Sequence, residues 1–542
     1  VPDGSSLDCN GKLTNNGTIL ASGGTLEGTL SDGTTPTPPS ITGQPTGQTV
    51  TEGSAAEFSV TATAGSETPT YQWQQSTDNG SSWTAINDAT SASYTTGITT
   101  TSMSGYQYRC VVKSASGVGV ISQAATLKVN EPFAGGIGTE DDPYQIATAE
   151  QLTKLSQKVN EGTSYQGTYF ILMNDIDLRY QDWIPIGVYK LESSGSVTNS
   201  FQGFLDGNNK IISGMSVDET DDKNSAGLFG YISIQKDGGT VGVKDLTIAD
   251  AVVIADENGL NECFAGILAG KVLGTSSQSI VFENITVSGS VHVTSTNGSN
   301  NIGGMLGYAS WVKATNCHAN GVSVSGGSNS GGFVGNDSGS VYENCTTSGT
   351  IDGAWSLGGF VGYSTSTIWQ DPAGASTYTK CAADVDVSGN DWRVGGFVGY
   401  AEYGKFNNCV AYGDVTSSVT GWEPRVGGFM GECGSAIATN CHAAGTVTSA
   451  SSDYQAGGFI GTYSGGALTD CSFDIEKNPA LNAAGEGTIA SGVTGEETAV
   501  VLANICEDYY GSHQLTKIEK KAATCTENGN IEYWTCERCG KH

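Results

Sequence analysis

The sequence predicts an all-β protein dominated by a parallel β-helix, and three observations carry that prediction. The first is a five-residue glycine box that recurs eight times between residues 226 and 461. It reads AGLFG at Ala226–Gly230, AGILA at Ala265–Ala269, GGMLG at Gly303–Gly307, and GGFVG at Gly331–Gly335, Gly358–Gly362 and Gly395–Gly399. GGFMG at Gly427–Gly431 and GGFIG at Gly457–Gly461 complete the series. The second glycines lie 27 to 39 residues apart, the signature of stacked units that bury a core only against their neighbours. The second observation is a phrase ending at Cys317, Cys345, Cys381, Cys409, Cys441 and Cys471, whose slot is held by Leu246 and Ile285 in the first two repeats. In five of the eight repeats this slot lies thirteen residues after the second glycine. The third is the alternating β-branched run after each slot, as in Val322–Ser325 and Val385–Ser388, bounded by corner-forming Gly, Asn and Ser. A unit of this kind is one coil of a β-helix; the Leu/Asn grammar of leucine-rich repeats and the 3.6-residue period of helical repeats are both absent.

The elements follow in order. Residues 1–40 read as a polar, β-like stretch, similar to the end of a preceding repeat region, closed by a stiff proline-rich linker at 33–40. Val1 in place of Met is read as a processed or trimmed start. Residues 41–130 hold short strands around Phe58, Trp73, Tyr94, Tyr108–Val112 and Leu127. This segment resembles bacterial immunoglobulin-like domains: Trp73 matches the core Trp of the third strand, and Tyr108, two residues before Cys110, matches the tyrosine-corner position. Phe58 replaces the usual partner cysteine, so the expected β-sandwich lacks its inter-sheet disulfide. The resemblance implies a spacer, with ligand binding as the lesser alternative.

Residues 134–475 form the expected solenoid. Near its start, Thr148 and Gln151 have capping-box spacing, and Leu152, Leu155 and Val159 share one helical face. A helix there would plug the open end of the first coil. The opening DPYQIATAEQL, the phrases NDIDL and FQGFLDGN, and the serial glycine boxes together resemble the GLUG-motif family of bacterial surface and secreted proteins. That family includes adhesin-like proteins and non-catalytic regions of immunoglobulin A metallopeptidases. The resemblance implies a right-handed β-helix, a secreted or cell-surface location, and no defined ligand.

Residues 476–512 read as a connector and 513–542 as a small zinc-ribbon-like module. Cys536 and Cys539 form a C-x-x-C knuckle, and His513 with Cys525 completes a tetrahedral shell for a structural zinc ion. A disulfide between Cys525 and one knuckle thiol, or a tail without fixed structure, stays open as an alternative. The segment resembles a Cys/His repeat at the ends of clostridial surface proteins that continues beyond the position of His542, so it is read as truncated.

The chain has 14 cysteines, but six share a slot with Ile and Leu, which makes them buried free thiols, not a disulfide framework. Cys9, Cys110, Cys263, Cys433 and Cys506 follow no pairing pattern. Asp and Glu outnumber Lys and Arg by 55 to 24, for a net charge of −31, which argues against nucleic-acid partners and anionic membranes. No apolar run reaches membrane-spanning length, so direct membrane insertion is not expected.

Enzymatic chemistry finds little support. None of His292, His318, His442, His513 and His542 begins an HExxH zinc-peptidase motif. Asp175, Asp177, Asp206 and Glu262 are candidates for paired carboxylates on an exposed sheet or for a Ca²⁺ site, against the plainer reading of solvated corners. Tyr308, Trp311, Tyr363, Trp369, Trp392, Tyr400, Tyr403 and Trp422 lie outside the core phrases; several directly follow a glycine box, where a corner is expected. They could stack on sugars or anchor a protein, or pack against insertion loops. The resulting expectation is a monomeric, non-enzymatic, adhesin-like protein that displays a lateral face to host or bacterial surface glycans or proteins. Two readings stay open beside it: a non-catalytic part of a larger surface enzyme, metallopeptidase or polysaccharide-degrading, and a purely structural stalk.

Overall fold

The computed structural model describes residues 38–510 apart from short breaks at 116, 193–194, 220–223, 236–237, 257–261, 295–298, 369–371, 391, 421–422, 452–455 and 490, together with the short strands at 6–8, 19–20, 25–27, 515–518 and 533–536. It divides into two units, 1–132 and 133–542.

The first unit contains the predicted immunoglobulin-like sheets. Thr70–Ser76 and Gln107–Lys113 pair antiparallel with Trp73 opposite Cys110. Ser40–Gly43 pairs with Thr61–Thr63, and Glu57–Ser59 with Ser93–Thr95. Phe58, in the slot of the missing cysteine, stacks on Tyr108 with centroids 4.6 Å apart, so an aromatic contact packs where a disulfide would cross. Burial pushes the Cys110 thiol up to about 11.

The second unit is a parallel β-helix. One sheet runs through 22 strands from Tyr144–Ile146 to Val493–Glu496. A second sheet carries two columns, one on each side of the glycine box, that merge in Gly457–Tyr463. The box is therefore itself a corner: a strand such as Asn329–Gly331 ends on its first glycine, and Val334–Ser338 begins at its fourth residue. The ladder continues past residue 475, because Asn482–Glu486 pairs with Gly457–Tyr463 and Val493–Glu496 pairs with Cys471–Asp474. The segment expected as a connector thus supplies a further partial coil without a glycine box.

In the later coils the core holds two columns of rings that run side by side with their ring planes perpendicular. Phe333, Phe360, Phe397, Phe429 and Phe459 stack at successive centroid distances of 4.7, 5.0, 4.9 and 5.0 Å. Tyr342, Tyr378 and Phe406, from the first position of the Cys phrase, stack at 5.2 and 4.8 Å and meet the Phe column edge-on. These spacings are those of adjacent strands, so the ladder itself sets the ring separation. A Cβ at Gly359 would collide with the Gly396 carbonyl of the next coil; this close approach, not a special dihedral, requires the second glycine.

The Cys slot points inward as expected. The six thiols are 0–1% exposed and free. Each donates to the carbonyl two residues before it, at 3.3–3.5 Å. Burial holds the Cys317, Cys381 and Cys441 thiols well above the usual range. The preceding residue explains the rest of the phrase. Asp245, Asn284, Asn316, Asn344, Lys380, Asn408, Asn440 and Asp470 all have φ between +51° and +54°, a left-handed corner that Asn and Asp tolerate best among residues with a Cβ. Their side chains also bond along the axis, as in Asn284 Nδ2 to Asp245 Oδ1 at 2.8 Å and Asn440 Nδ2 to Asn408 Oδ1 at 3.1 Å.

Among the described residues two α-helices attend the solenoid. In α1 (Ala149–Asn160), Thr148 Oγ1 accepts from the Gln151 backbone, and Gln151 Oε1 accepts from the Ala147 backbone at 2.8 Å. Leu152, Leu155 and Val159 are fully buried in the solenoid core, the plug that the sequence predicts. The second, α2 (Thr498–Asp508), lies on the outside of the 22-stranded sheet. There Val501 and Ile505 cover Ala382, Val410 and Ala444, and His442 Nε2 meets Asp508 Oδ2 at 3.0 Å.

Candidate ligand-binding face

The outer side of the glycine-box sheet is the candidate site, and strand alternation builds it. In Val361–Thr365, Ser364 points to the core, where it bonds the Tyr378 hydroxyl, so Tyr363 must point out. The register carries that outward position from coil to coil as Tyr231, Lys271, Tyr308, Asn336, Tyr363, Tyr400, Glu432 and Thr462. A neighbouring outward row comes from the strand before the corner: Phe264, Asn301, Asn329, Ser356, Arg393 and Arg425.

Three chemical zones follow one another along these rows. At the first, the Lys271 ammonium is enclosed by Tyr189, Phe264 and Tyr308, 3.5, 4.1 and 5.5 Å from their ring centres. Burial pushes its pKa down to about 8, although the Glu262 charge favours the protonated form. The second zone is polar, with Asn329 Nδ2 donating to Asn301 Oδ1 at 3.0 Å. In the third, Tyr363 and Tyr400 stack at 5.2 Å within 5° of parallel. Glu402 accepts hydrogen bonds from the Tyr363 hydroxyl and from Thr365 Oγ1. Burial, then the bond to Glu402, holds the Tyr363 pKa well above the usual phenol range. Arg393 and Arg425 both donate to Glu432 Oε2, and the Arg393 guanidinium lies 4.3 Å from the Tyr400 ring centre. Trp355 and Trp392 stand at the end of this zone with 54% and 45% of their surfaces exposed.

Of the aromatic residues singled out from the sequence, Tyr308, Tyr363 and Tyr400 therefore share one row. They lie within strands, not at the corner expected after the box, because the box itself makes the turn. Trp392 borders the row; Trp311 has left-handed φ at its own corner, and Tyr403 follows the Tyr400 strand. Trp369 and Trp422 lie outside the described residues. Sequence reasoning missed Trp355, Lys271, Arg393, Arg425, Glu402 and Glu432. Most were within reach, because one row falls two residues before the first glycine of each box and the other falls just after its last residue, except in the second box, where Lys271 lies two residues past Ala269.

Three of the four candidate carboxylates serve the backbone, and Glu262 lies on the outward side near Lys271. Asp175 Oδ1 accepts from Ile211 N at 2.9 Å, Asp177 Oδ1 from Arg179 N at 2.8 Å and Asp206 Oδ1 from Asn208 N at 2.7 Å. Asp206 also pairs with Lys244 at 2.9 Å. Among the described residues no three His, Cys, Asp or Glu side chains converge to hold a metal ion. Of the predicted zinc ligands, His513, Cys525 and Cys539 lie outside the described residues. Cys536 ends a strand paired antiparallel with Leu515–Ile518 and is 1% exposed. Its Sγ lies 3.8 Å from that of Cys506 on α2, a neighbour with no sequence signal.

Comparison with known proteins agrees with the repeat grammar. The GLUG motif matches residues 390–416, the coil that carries Trp392, Arg393, Tyr400 and Cys409, and a domain of unknown function (DUF8696) matches residues 28–131. Halomucin of Haloquadratum walsbyi is 30% identical over 175 residues, 32% of this chain and 2% of halomucin. A Gly-rich membrane protein of Evansella cellulosilytica is 39% identical over 106 residues, 18% of this chain and 11% of that protein. The chain thus spans only a small part of either relative. One chain of the titin M10–obscurin-like 1 immunoglobulin complex matches 18% of this chain and 100% of its own length at 23% identity, with a TM-score of 0.15. No helix among the described residues is long and apolar enough to cross a membrane.

Proposed function

We propose that this chain is a non-enzymatic, surface-associated or secreted bacterial repeat protein whose β-helix binds an extracellular ligand on its glycine-box face. The observation that carries this reading is the pair of outward rows that bring together Tyr363, Tyr400, Arg393, Arg425 and Glu432, with Trp355 and Trp392 exposed beside them. A stalk needs only polar cover on its outer side, whereas these rows gather ring faces and ordered charges in one place. The GLUG match and the names of the two relatives support a surface location. The acidic chain favours host or bacterial surface glycans or proteins over nucleic acid.

The full chain, labelled and applied to mucin, bacterial wall polysaccharide and extracellular-matrix protein, should bind at least one saturably. Arg393→Ala should weaken that binding, while peptides and polysaccharides incubated with the protein stay intact. Indifference of all binding to Arg393→Ala, or turnover of any polymer, would remove this reading. The monomer expected from the sequence should show in sedimentation.

A structural zinc site at the C-terminus, formed by His513, Cys525, Cys536 and Cys539, is a separate proposal that rests on their spacing. Metal analysis of protein purified without chelator should find about one zinc per chain, lost in the Cys536→Ser, Cys539→Ser variant. Metal-free protein with an ordered C-terminus would reject it.

A further inference from the structure

We propose that Trp355 and Trp392, with the Arg393–Glu432–Arg425 cluster beside them, form a binding subsite for an uncharged oligosaccharide. This rests on the reading that the glycine-box face binds a ligand, and it names the ligand's chemistry.

The two indoles come from successive coils. Their ring centres are 6.4 Å apart and their planes differ by 20°, so the two rings form a nearly parallel, stacked pair that bridges one coil and the next. Packing does not account for them, because 54% of Trp355 and 45% of Trp392 remain exposed. Trp355 is also held at φ +63°, a left-handed conformation that a bulky side chain rarely adopts and that Gly or Asn would hold with less strain. A strained, exposed tryptophan points to a role in binding. Arg393 N donates to the Trp355 carbonyl and Arg425 N to the Trp392 carbonyl, both at 2.6 Å, which fixes the backbone beneath both rings before any ligand arrives.

The chemistry beside the two rings selects the ligand. A pyranose ring presents a C–H face to an aromatic surface and hydroxyls at its rim, so it needs a flat ring flanked by fixed hydrogen-bonding groups. The Arg393 and Arg425 guanidiniums lie 5.7 and 5.9 Å from the Trp392 ring centre, and each has five N–H donors. Both are oriented by Glu432 Oε2, which leaves donors for sugar hydroxyls. The same carboxylate offsets arginine charge at the site, and the net charge of −31 repels a polyanion at long range. An uncharged glycan satisfies both conditions; a uronate polymer does not.

The test titrates the full chain with uncharged β-1,4-linked gluco-, manno-, galacto- and N-acetylglucosamine hexasaccharides and with uronate hexasaccharides, followed by tryptophan fluorescence and calorimetry. At least one uncharged hexasaccharide should bind, and Trp392→Ala and Trp355→Asn should each weaken it tenfold or more. Trp355→Phe should retain most of the affinity. Trp355→Asn suits the left-handed backbone, so its melting temperature should stay level or rise, which separates lost binding from lost fold. Binding of uronates or of a protein alone, weakened by Trp392→Ala, would overturn the uncharged-sugar assignment and leave the ligand-binding reading standing. If no ligand responds to Trp392→Ala, Trp355→Asn or Arg393→Ala, both fall.

Discussion

The inner and outer sides of the same strands obey different rules. Inward, the slot that holds Phe333 holds Phe360, Phe397, Phe429 and Phe459 in turn, and the Cys slot barely changes over six coils. Outward, one register position reads Tyr, Lys, Tyr, Asn, Tyr, Tyr, Glu and Thr from Tyr231 to Thr462. An inward side chain touches its equivalents above and below at strand spacing, so a change of shape in one coil disturbs two others. An outward side chain meets solvent on one side and is free to differ. A repeat protein of this kind keeps its fold in what recurs and places its chemistry in what does not.

Four measurements would break or sharpen that contrast. The largest effect concerns the inward thiols. Cys317, Cys345, Cys381, Cys409, Cys441 and Cys471 should react with a thiol reagent more than about a thousandfold slower in native protein than in denaturant, since labelling requires the coils to open. Fast native labelling would mean that the slot is accessible. Next comes Phe397→Ala, which opens a gap between Phe360 and Phe429 and should cost about 3–5 kcal/mol in chemical denaturation. A much smaller loss would show that the column tolerates vacancies as the outer row does.

Third is Asp337, the one charged intruder in the inward row among Ala309, Ser364 and Ala401. It is fully buried and accepts from the Tyr342 and Tyr378 hydroxyls at 2.9 and 2.7 Å. Asp337→Ala strands the Tyr342 hydroxyl and leaves that of Tyr378 with Ser364 alone, and should cost about 2–3 kcal/mol. Burial raises its folded-state pKa above 3.8, so the folded form keeps a proton that the unfolded chain releases. Stability from this group is therefore complete below pH 3.8 and lost as pH rises through the folded-state value. Asp337→Asn should flatten that slope in denaturation curves taken across acidic pH; an unchanged slope would assign it to other groups. The smallest effect belongs to the outer row. Tyr400→Ser removes the stack on Tyr363 and the contact with Arg393, yet should shift stability by only about 1 kcal/mol. A loss as large as that of Phe397→Ala would erase the distinction between the two sides.

The corner residues show how far the sequence could be read. The phrase Asn-Cys announces a recurring unit and an inward thiol, because Cys alternates with Ile285 and Leu246. It does not announce that Asn316, Asn344, Asn408 and Asn440 are there for a left-handed φ. Asn344→Ala should accordingly cost about 1–2 kcal/mol and Asn344→Gly little, with thermal unfolding as the readout.

By itself the sequence determined the parallel β-helix, the capping helix, the inward cysteines and the aligned Phe column, because each rests on periodicity or local pattern and stacking copies a local choice into every coil. Tertiary structure alone decided which residues from separate coils meet. Arg393 and Glu432 are 39 residues apart in sequence and share a hydrogen bond, and insertions of different length in each repeat hide that register from linear reading. The same holds for Trp355 beside Trp392, for Cys506 beside Cys536, and for α2 resting on Ala382, Val410 and Ala444. Such contacts depend on the number of residues looped out between ladders, a quantity that no local pattern encodes and that the closed stack of coils sets.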